Sequence, residues 1–253
     1  NRVGVKTYRT SSLQEQGWSE NLQDIISPGT GLESPVLRVY NFHYANMQIA
    51  QRLVIIIVFL STVDVTLDPD TAHPKLILSE DGKQVIFGDV WQDLAYNPER
   101  FDTCVSVLGK EGFSSGRFYY DVQVKGKTRW TIGVARESIN RKGKITVKSI
   151  NRKGKITVSP ENGYRTLWLR NGEYKALSGP SVPLSLREKP QKVGVFVDYE
   201  EGHVSFYNVE ARSHIYSFTG DTFTEKLYPY FVWVWIGVCA GVKSGRDNII
   251  INQ

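Results

Sequence analysis

Arg117-Phe-Tyr-Tyr-Asp-Val-Gln-Val124 is the stretch of sequence that decides the fold. Phe118, Tyr120, Val122 and Val124 stand at every second position, so an extended chain places all four on one face. This alternation is typical of a β-strand that has one face against a core. We therefore predict a strand over 117–124 whose four apolar side chains are buried.

Similar short β-rich runs follow one another from residue 63 onward. Turn dipeptides such as Asn171-Gly172 separate them at intervals of about ten residues. Many short strands without a long helical pattern are typical of an all-β sandwich. We predict strands at 75–78, 84–87, 103–108, 117–124, 130–135, 166–169, 192–198, 203–208, 213–218 and 228–235.

The composition is that of an ordinary globular protein. Of the 253 residues 41% are hydrophobic and 23% charged, which suits one large all-β domain or two small ones. The chain has only two cysteines, Cys104 and Cys239, and no Asn-x-Ser/Thr glycosylation site, so we predict a reducing, cytoplasmic setting. The longest apolar run, residues 53–60, is far shorter than the roughly 20 residues of a membrane span, so we predict no membrane role.

Residues 1–62 differ in character from the rest of the chain. A capping-box spacing at Ser12 and the apolar positions after it indicate a short amphipathic helix, which a Gly/Ser/Pro-containing linker follows. Residues 41–60 could form a helix that runs into a strand, and periodicity does not decide between the two. We predict an atypical, partly helical N-terminal segment or linker over 1–62 and one β-sandwich domain over 63–253.

The basic charge of the chain has a local source. Residues 138–147 recur identically as residues 149–158, with Lys148 between them. Removing residues 148–158 deletes four cations and no carboxylate, which would lower the net charge from +5 to +1. An odd period turns the core-facing side chains of a strand outward, so the two copies cannot extend one strand in one register. We expect one copy to form the native edge and the other to loop out or add a hairpin.

The duplicated segment could be a local duplication without a role of its own, or a gene-model artefact. A second interpretation is a polybasic loop that binds phosphates or acidic partners. No aromatic residue lies between 138 and 158, so stacking on nucleic-acid bases is unsupported there and nucleic-acid binding is not favoured. The basic residues of this loop would be Arg141, Lys142, Lys144, Lys148, Arg152, Lys153 and Lys155.

Three motifs, in order along the chain, carry a resemblance to a known family. Residues 65–72, Val-Thr-Leu-Asp-Pro-Asp-Thr-Ala, resemble the PRY segment with its Leu-Asp-Pro motif. Residues 113–122 resemble the SPRY strand usually written Trp-Glu-Val-Glu, with Tyr120 and Asp121 in place of the tryptophan and the first glutamate. Residues 194–200 match the third motif, Leu-Asp-Tyr-Glu, with valine in place of leucine. The chain is thus similar to PRY-SPRY domains. Its motifs most resemble those in the C-terminal domains of fish tripartite-motif ubiquitin ligases and fish NACHT leucine-rich-repeat receptors.

The resemblance implies a bent antiparallel sandwich of the concanavalin-like jelly-roll type, with PRY over about 63–112 and SPRY over about 113–253. Tyr120 is smaller than the family's tryptophan, which implies a slightly underfilled core. Loops on one side of such a domain form a variable binding surface. Its ligands are usually proteins or peptides, and in the butyrophilins they are small phosphorylated metabolites. We predict no cofactor and no metal.

Candidate site residues follow from the same resemblance. Thr131 stands where relatives place a contact residue, and Trp168 matches an aromatic residue of the binding surface. Arg170 replaces a second tryptophan of an antibody-binding relative, so antibody binding is not expected. Variable loops are expected at 91–100 and 136–165, with arginines as rim charges. The partner-binding candidates are Thr131, Trp168, Arg170, Arg129, Arg136, Trp91, Tyr164 and Trp233.

Residues 232–247 depart from the family pattern, because an apolar stretch with two tryptophans replaces the usual polar one. Residues 248–251 are the candidate for the family's last strand. Trp233 and Trp235 alternate onto one face and could add an aromatic anchor to the binding surface, or could pack internally. This stretch and residues 1–62 could also come from intronic or alternatively spliced sequence.

The sequence shows no catalytic constellation. None of the four histidines stands in a Gly-x-Ser-x-Gly, His-Glu-x-x-His or Cys-x-x-Cys context. Asp198 and Glu200 share a strand face as paired carboxylates would, but the family motif explains them structurally. Cys104 and Cys239 have no evident activating partner, so we predict buried thiols. We predict that the chain is not an enzyme and that any ubiquitin-ligase activity would lie in a RING domain absent from it.

These observations favour a protein-recognition module that selects a target for an attached effector. In a tripartite-motif ubiquitin ligase of innate immunity it would be the end that recognises a substrate or pathogen. The sequence does not name the target protein, and oligomerisation could occur through an upstream region outside this chain. The alternatives are binding of phosphorylated small molecules or acidic polymers through the basic loop, and a non-functional gene-model fragment.

Overall fold

Two antiparallel sheets contain nearly all the strands. The computed structural model describes residues 61–88, 90–143, 145–146, 156–232 and 248–252. These ranges contain a short 3-10 helix, Pro160–Asn162, and no α-helix. The strands are β1 (Leu76–Leu78), β2 (Gln84–Phe87), β3 (Ser106–Leu108), β4 (Arg117–Gln123), β5 (Arg129–Arg136), β6 (Ile145–Thr146), β7 (Ile156–Thr157), β8 (Tyr164–Arg170), β9 (Glu173–Ala176), β10 (Val182–Leu184), β11 (Lys192–Asp198), β12 (His203–Asn208), β13 (Ser213–Phe218), β14 (Leu227–Val232) and β15 (Asn248–Asn252).

The strand order shows a sandwich with long-range pairing. One sheet has the order β1-β2-β15-β4-β11-β12-β13 and the other β10-β9-β8-β5-β14-β3. Within both sheets neighbouring strands run antiparallel. β4 pairs with β11 over its whole length, so the opening motif lies inside the seven-stranded sheet. The predicted all-β antiparallel sandwich is confirmed.

The core lies between the two sheets. The side chains of Phe118, Tyr120, Val122 and Val124 are at most 3% exposed, which confirms the buried face predicted for this stretch. The burial of one large apolar side chain contributes roughly 1.5–3 kcal/mol, so the two inner faces supply most of the stabilisation. Opposite β4, the six-stranded sheet contributes Trp130, Ile132, Val134, Leu167, Leu169 and Phe231 to the same core.

Tyr120 adds a polar link between the sheets. Its side chain is 1% exposed, and its hydroxyl donates a hydrogen bond to the backbone carbonyl of Gly133 at an O···O distance of 2.6 Å. Its ring meets Phe231 edge-on, with centroids 6.0 Å apart. A buried hydroxyl that finds an acceptor avoids the cost of an unpaired polar group. The residue that replaces the family's tryptophan therefore joins β4 to β5 through the core.

Sequence and structure differ mainly at sheet edges. β2, β11, β12 and β13 have the predicted bounds, whereas β9 and the edge strand β10 were not predicted. β10 is three residues long and contains Pro183. The proline interrupts the alternation of apolar and polar residues and has no backbone N–H to donate to a neighbouring strand. The predicted strand 228–235 is described only as far as Val232, and the helical and linker predictions for residues 1–60 lie outside the described residues.

The duplicated segment pairs with itself. β6 and β7 run parallel, with Ile145 opposite Ile156 and Thr146 opposite Thr157. Each pair joins equivalent positions of the two copies, since those positions are eleven residues apart. The two strands form a separate two-stranded sheet. The hairpin alternative is therefore wrong for this pair, because a hairpin pairs its strands antiparallel. The alternative, a copy that loops out, concerns residues 147–155, which lie outside the described residues.

A buried histidine, His73, lies just before β1. It is 2% exposed, its Nδ1 accepts a hydrogen bond from the backbone N–H of Lys75 at 3.1 Å, and its ring meets Trp91 edge-on. Burial lowers the pKa of His73 from 6.5 to about 4, and the nearby Lys75 contributes in the same direction. The imidazole is therefore held neutral in the folded domain.

Acid is expected to destabilise the domain through His73. As the pH falls from 6.5 toward 4, the unfolded chain binds a proton that the folded chain does not. The stabilisation is complete above pH 6.5 and lost on acidification, by about 2 kcal/mol between pH 7 and pH 5. Urea unfolding at these two pH values measures the loss. His73→Gln should remove this component while His214→Gln, at an exposed histidine, should retain it; an undiminished loss in His73→Gln would contradict the assignment.

Candidate functional site

Four predicted site residues meet on the outer face of the six-stranded sheet. Arg129 lies opposite Arg170, and Thr131 lies opposite Trp168, in the ladder between β5 and β8. Residues two apart on a strand share a face, and the alternate residues of these strands point to the core instead. We define Arg129, Thr131, Trp168, Arg170 and Lys175 as the cationic face.

The turn between β8 and β9 sets the register of this face. Asn171 and Gly172 have φ values of 54° and 80°, as a two-residue type I′ hairpin requires. The turn places Arg170 opposite Glu173 and Trp168 opposite Lys175. Lys175 was not among the predicted site residues, although a two-residue Asn-Gly turn places it opposite Trp168 in the hairpin.

Two cations lie over the indole of Trp168. The guanidinium carbon of Arg170 is 5.0 Å from the ring centroid, and the ammonium of Lys175 is 5.6 Å from it. Trp168 is 8% exposed and Thr131 is fully buried. The indole N–H and the Thr131 hydroxyl are both buried without a hydrogen-bond partner. A partner therefore meets the charged groups first, and reaches Thr131 only if the groups above it move.

The cationic face carries more positive than negative charge. Lys175 pairs with Glu173 at 3.2 Å, and Arg129 donates to the side-chain oxygen of Asn171 at 3.0 Å. Among the described carboxylates, none forms an ion pair with Arg129 or Arg170. Burial and the facing Arg129 both lower the pKa of Arg170, whose Nε is buried without a hydrogen-bond partner.

Arg136 and Tyr164 lie at the other end of these strands, away from Trp168. Arg136 Nε is 3.8 Å from the Glu225 carboxylate. Both residues line a small cavity of about 70 Å³. Tyr164 is fully buried, with its hydroxyl unpartnered, so a partner does not contact it in this conformation. It belongs to a second hydrophobic cluster on the outer face, made of Phe101, Cys104, Leu108, Ala135, Ile139, Val158, Tyr164, Trp168, Leu177, Tyr230 and Val232.

Trp91 lies in the loop between β2 and β3 and is 55% exposed. Three further large apolar residues of this loop are exposed, Val90, Leu94 and Tyr96. A run of exposed apolar residues is typical of a contact surface. The remaining candidates, Trp233, Lys144, Lys148, Arg152, Lys153 and Lys155, lie outside the described residues.

Two basic side chains of the first copy make contacts within the domain. Arg141 pairs with Glu99 at 2.7 Å. The ammonium of Lys142 donates to the backbone carbonyls of Asn97 and Arg100, at 3.0 and 2.7 Å. These contacts hold the first copy against the loop before β3. Two of the seven cations predicted for a phosphate-binding loop are therefore engaged with the domain itself.

A matched pair of lysine variants tests this clamp. Lys142→Ala should remove two hydrogen bonds and the cation over the ring of Tyr96, and lower the free energy of unfolding by about 1–2 kcal/mol. Lys125→Ala, at an exposed lysine after β4, removes the same charge and should stay within about 0.5 kcal/mol of wild type. Urea unfolding measures both. Equal losses would show that Lys142 does not hold the first copy to the loop before β3.

The paired carboxylates are engaged in structural contacts. Asp198 accepts hydrogen bonds from Arg117 Nε at 2.6 Å and from the backbone N–H of Glu201 at 3.2 Å. Glu200 accepts one from the backbone N–H of Gly116 at 2.7 Å. Both carboxylates thus fix the turn after β11 to the start of β4, as the structural interpretation requires.

Cys104 is 8% exposed and lies 3.0 Å from the Ser106 hydroxyl. Burial raises the pKa of this thiol, so it is unreactive in the folded domain. Within the described ranges, no three His, Cys, Asp or Glu side chains converge as a metal site would require. No helix in the same ranges has the length and apolar character needed to cross a membrane.

Two family models match the chain in succession. The SPRY-associated domain, PRY, matches residues 65–113, and the SPRY domain matches residues 117–245. The chain belongs to the PRY-SPRY family. The resemblance read from the sequence motifs is confirmed, and a PRY-SPRY domain is a protein-binding domain rather than a catalytic one.

Curated relatives are identical to this chain at almost half of the aligned positions. "Nuclear factor 7, brain" of Xenopus laevis is 45% identical over 212 residues, 83% of this chain and 33% of its own length. "E3 ubiquitin-protein ligase TRIM58" of Mus musculus is 48% identical over 67% of this chain, and "Pyrin" of Homo sapiens 46% over 74%. This PRY-SPRY chain spans about a third of the first two relatives, 33% of each, and 22% of pyrin.

Solved structures show the same fold at lower identity. The TRIM65 PSpry domain superposes with a TM-score of 0.62 at 19% identity, covering 90% of this chain and all of that domain. Stonustoxin superposes with a TM-score of 0.56 at 24% identity, covering 76% of this chain and 27% of the toxin chain. At this identity the likeness supports the PRY-SPRY fold alone.

Proposed function

We propose that this PRY-SPRY domain recognises a target protein through its cationic face and the exposed loop 90–96, on behalf of an effector joined to it. The observation that carries the proposal is the meeting of Arg129, Trp168, Arg170 and Lys175 on one face of a rigid sheet. Aromatic and arginine side chains held by a scaffold are the residues that dominate binding energy at protein interfaces.

The relatives support a proposal for the parent protein. TRIM58 is named an E3 ubiquitin-protein ligase, so we propose that this domain selects the substrate of a tripartite-motif ligase. The match to pyrin supports a role in innate immunity. The cytoplasm is the proposed compartment, which fits a chain with two cysteines and a buried, reduced Cys104.

Proximity labelling in cells tests the proposal. Arg129→Glu with Arg170→Glu reverses two charges at the surface while leaving the core intact, and should lower the recovery of specific partners about tenfold or more. Trp168→Ala should do the same, with circular dichroism confirming that the variant is folded. The matched control is Arg187→Glu, at an exposed arginine elsewhere. Unchanged partners in the charge-reversed variant would show that the binding surface lies elsewhere.

A further inference from the structure

Arg129 and Arg170 form a like-charged pair across two strands. Residues opposite each other in an antiparallel ladder have Cβ atoms about 4.5–5.5 Å apart, and like charges at this distance destabilise the sheet. No described carboxylate pairs with either guanidinium. The free domain thus retains a repulsion that a bound anion would relieve.

The donors of this pair are available to one anion. A guanidinium has five N–H donors in a planar fork. One terminal nitrogen of Arg129 donates to Asn171, and the side chain of Arg170 donates no hydrogen bond to a described residue. The guanidinium carbon of Arg170 lies 5.0 Å from the ring centroid of Trp168. Guanidinium groups that start from directly opposite ladder positions can both reach one oxyanion and donate to its oxygens.

Charge and access favour a carboxylate over phosphate or nucleic acid. Glu173 lies directly opposite Arg170 and is 68% exposed, so its charge opposes a dianion more strongly than a monoanion. Trp168 is 8% exposed, which leaves no aromatic ring of the cationic face on which a nucleic-acid base could stack. A monoanionic, planar carboxylate satisfies both conditions.

We propose that the cationic face binds an acidic protein segment, with Arg129 and Arg170 together clamping the carboxylate of one Asp or Glu side chain. Lys175 contributes the third positive charge and steers such a segment onto the face. The inference rests on the proposed function and deepens it, because it states the chemistry of the target that the face recognises.

Isothermal titration of the chain with a blocked hexaglutamate peptide at low salt tests the clamp. Arg170→Ala and Arg129→Ala should each weaken binding by about tenfold, and the double variant by little more than either single one, since the two side chains act on one carboxylate. Arg187→Ala removes the same charge at an exposed position elsewhere and should change the affinity less than about twofold.

Several outcomes would overturn the clamp. Absence of peptide binding, or an equal loss in Arg187→Ala, would show that no carboxylate site exists on this face. Inorganic phosphate or duplex DNA bound more tightly than the peptide, and lost in the same two variants, would replace the carboxylate by a phosphate. The proposed function is tested separately: it survives these results if charge reversal of Arg129 and Arg170 still removes partners in proximity labelling, and fails if the partners remain.

Discussion

Gly133→Ala is expected to lower the free energy of unfolding by about 4 kcal/mol and the melting temperature by roughly 8–16 °C. A Cβ at this position would lie 2.0 Å from the carbonyl oxygen of Arg165 and 2.8 Å from the Cα of Thr166. Both contacts are backbone atoms of β8, so no side-chain rotation relieves them. The strands β5 and β8 would have to move apart where Gly133 faces Thr166.

Thermal unfolding of Gly133→Ala beside Gly126→Ala separates this clash from the conformational cost of losing a glycine. Gly126 has φ +74° and nothing within 4 Å of an added Cβ, so its replacement should cost only about 1 kcal/mol. Equal melting temperatures for the two variants would mean that β5 and β8 do not approach each other as closely as the structure indicates.

The centre of the sandwich could be predicted from the sequence because its strands carry their own pattern. Phe118, Tyr120, Val122 and Val124 alternate without interruption, and all are buried as predicted. β10 carries no such pattern, because three residues with a proline at the centre look like a loop. Its pairing depends on β9, which depends in turn on the register of β8. Edge strands of this kind are stabilised by neighbours rather than by their own sequence.

Four members of the cationic face were among the predicted site residues, whereas Lys175 and the burial of Thr131 were not predicted. Trp168 and Arg170 were expected on the binding surface, and the Asn171-Gly172 turn is the signal that could have placed Lys175 opposite Trp168. The full burial of Thr131 could not be read from the chain, because it depends on contacts between residues far apart in sequence. The parallel pairing of the two identical copies was missed for the same reason, since sequence identity alone does not give the direction of pairing.

Asp221→Ala is expected to lower the free energy of unfolding by about 3 kcal/mol and the melting temperature by roughly 6–12 °C. Arg165 donates to both carboxylate oxygens of Asp221, from Nε at 2.9 Å and from a terminal nitrogen at 2.5 Å. The Arg165 side chain is only 10% exposed and lies over the ring of Phe223. Without Asp221 its charge would remain desolvated at the edge of the core without a hydrogen-bonded carboxylate, and that poorly compensated charge is the source of the loss.

Replacing both Arg165 and Asp221 should recover most of the stability that Asp221→Ala loses. Arg165→Met with Asp221→Leu removes the buried charges together, and should lie within about 1 kcal/mol of wild type, because apolar side chains of similar size fill the same space without a desolvation penalty. Asp93→Ala, at an exposed carboxylate, controls for the change in net charge and should stay within about 0.5 kcal/mol. A double variant as unstable as Asp221→Ala would contradict this account. It would show that the two hydrogen bonds from Arg165 stabilise the domain by holding the loop before β14 to β8, and not by compensating a buried charge.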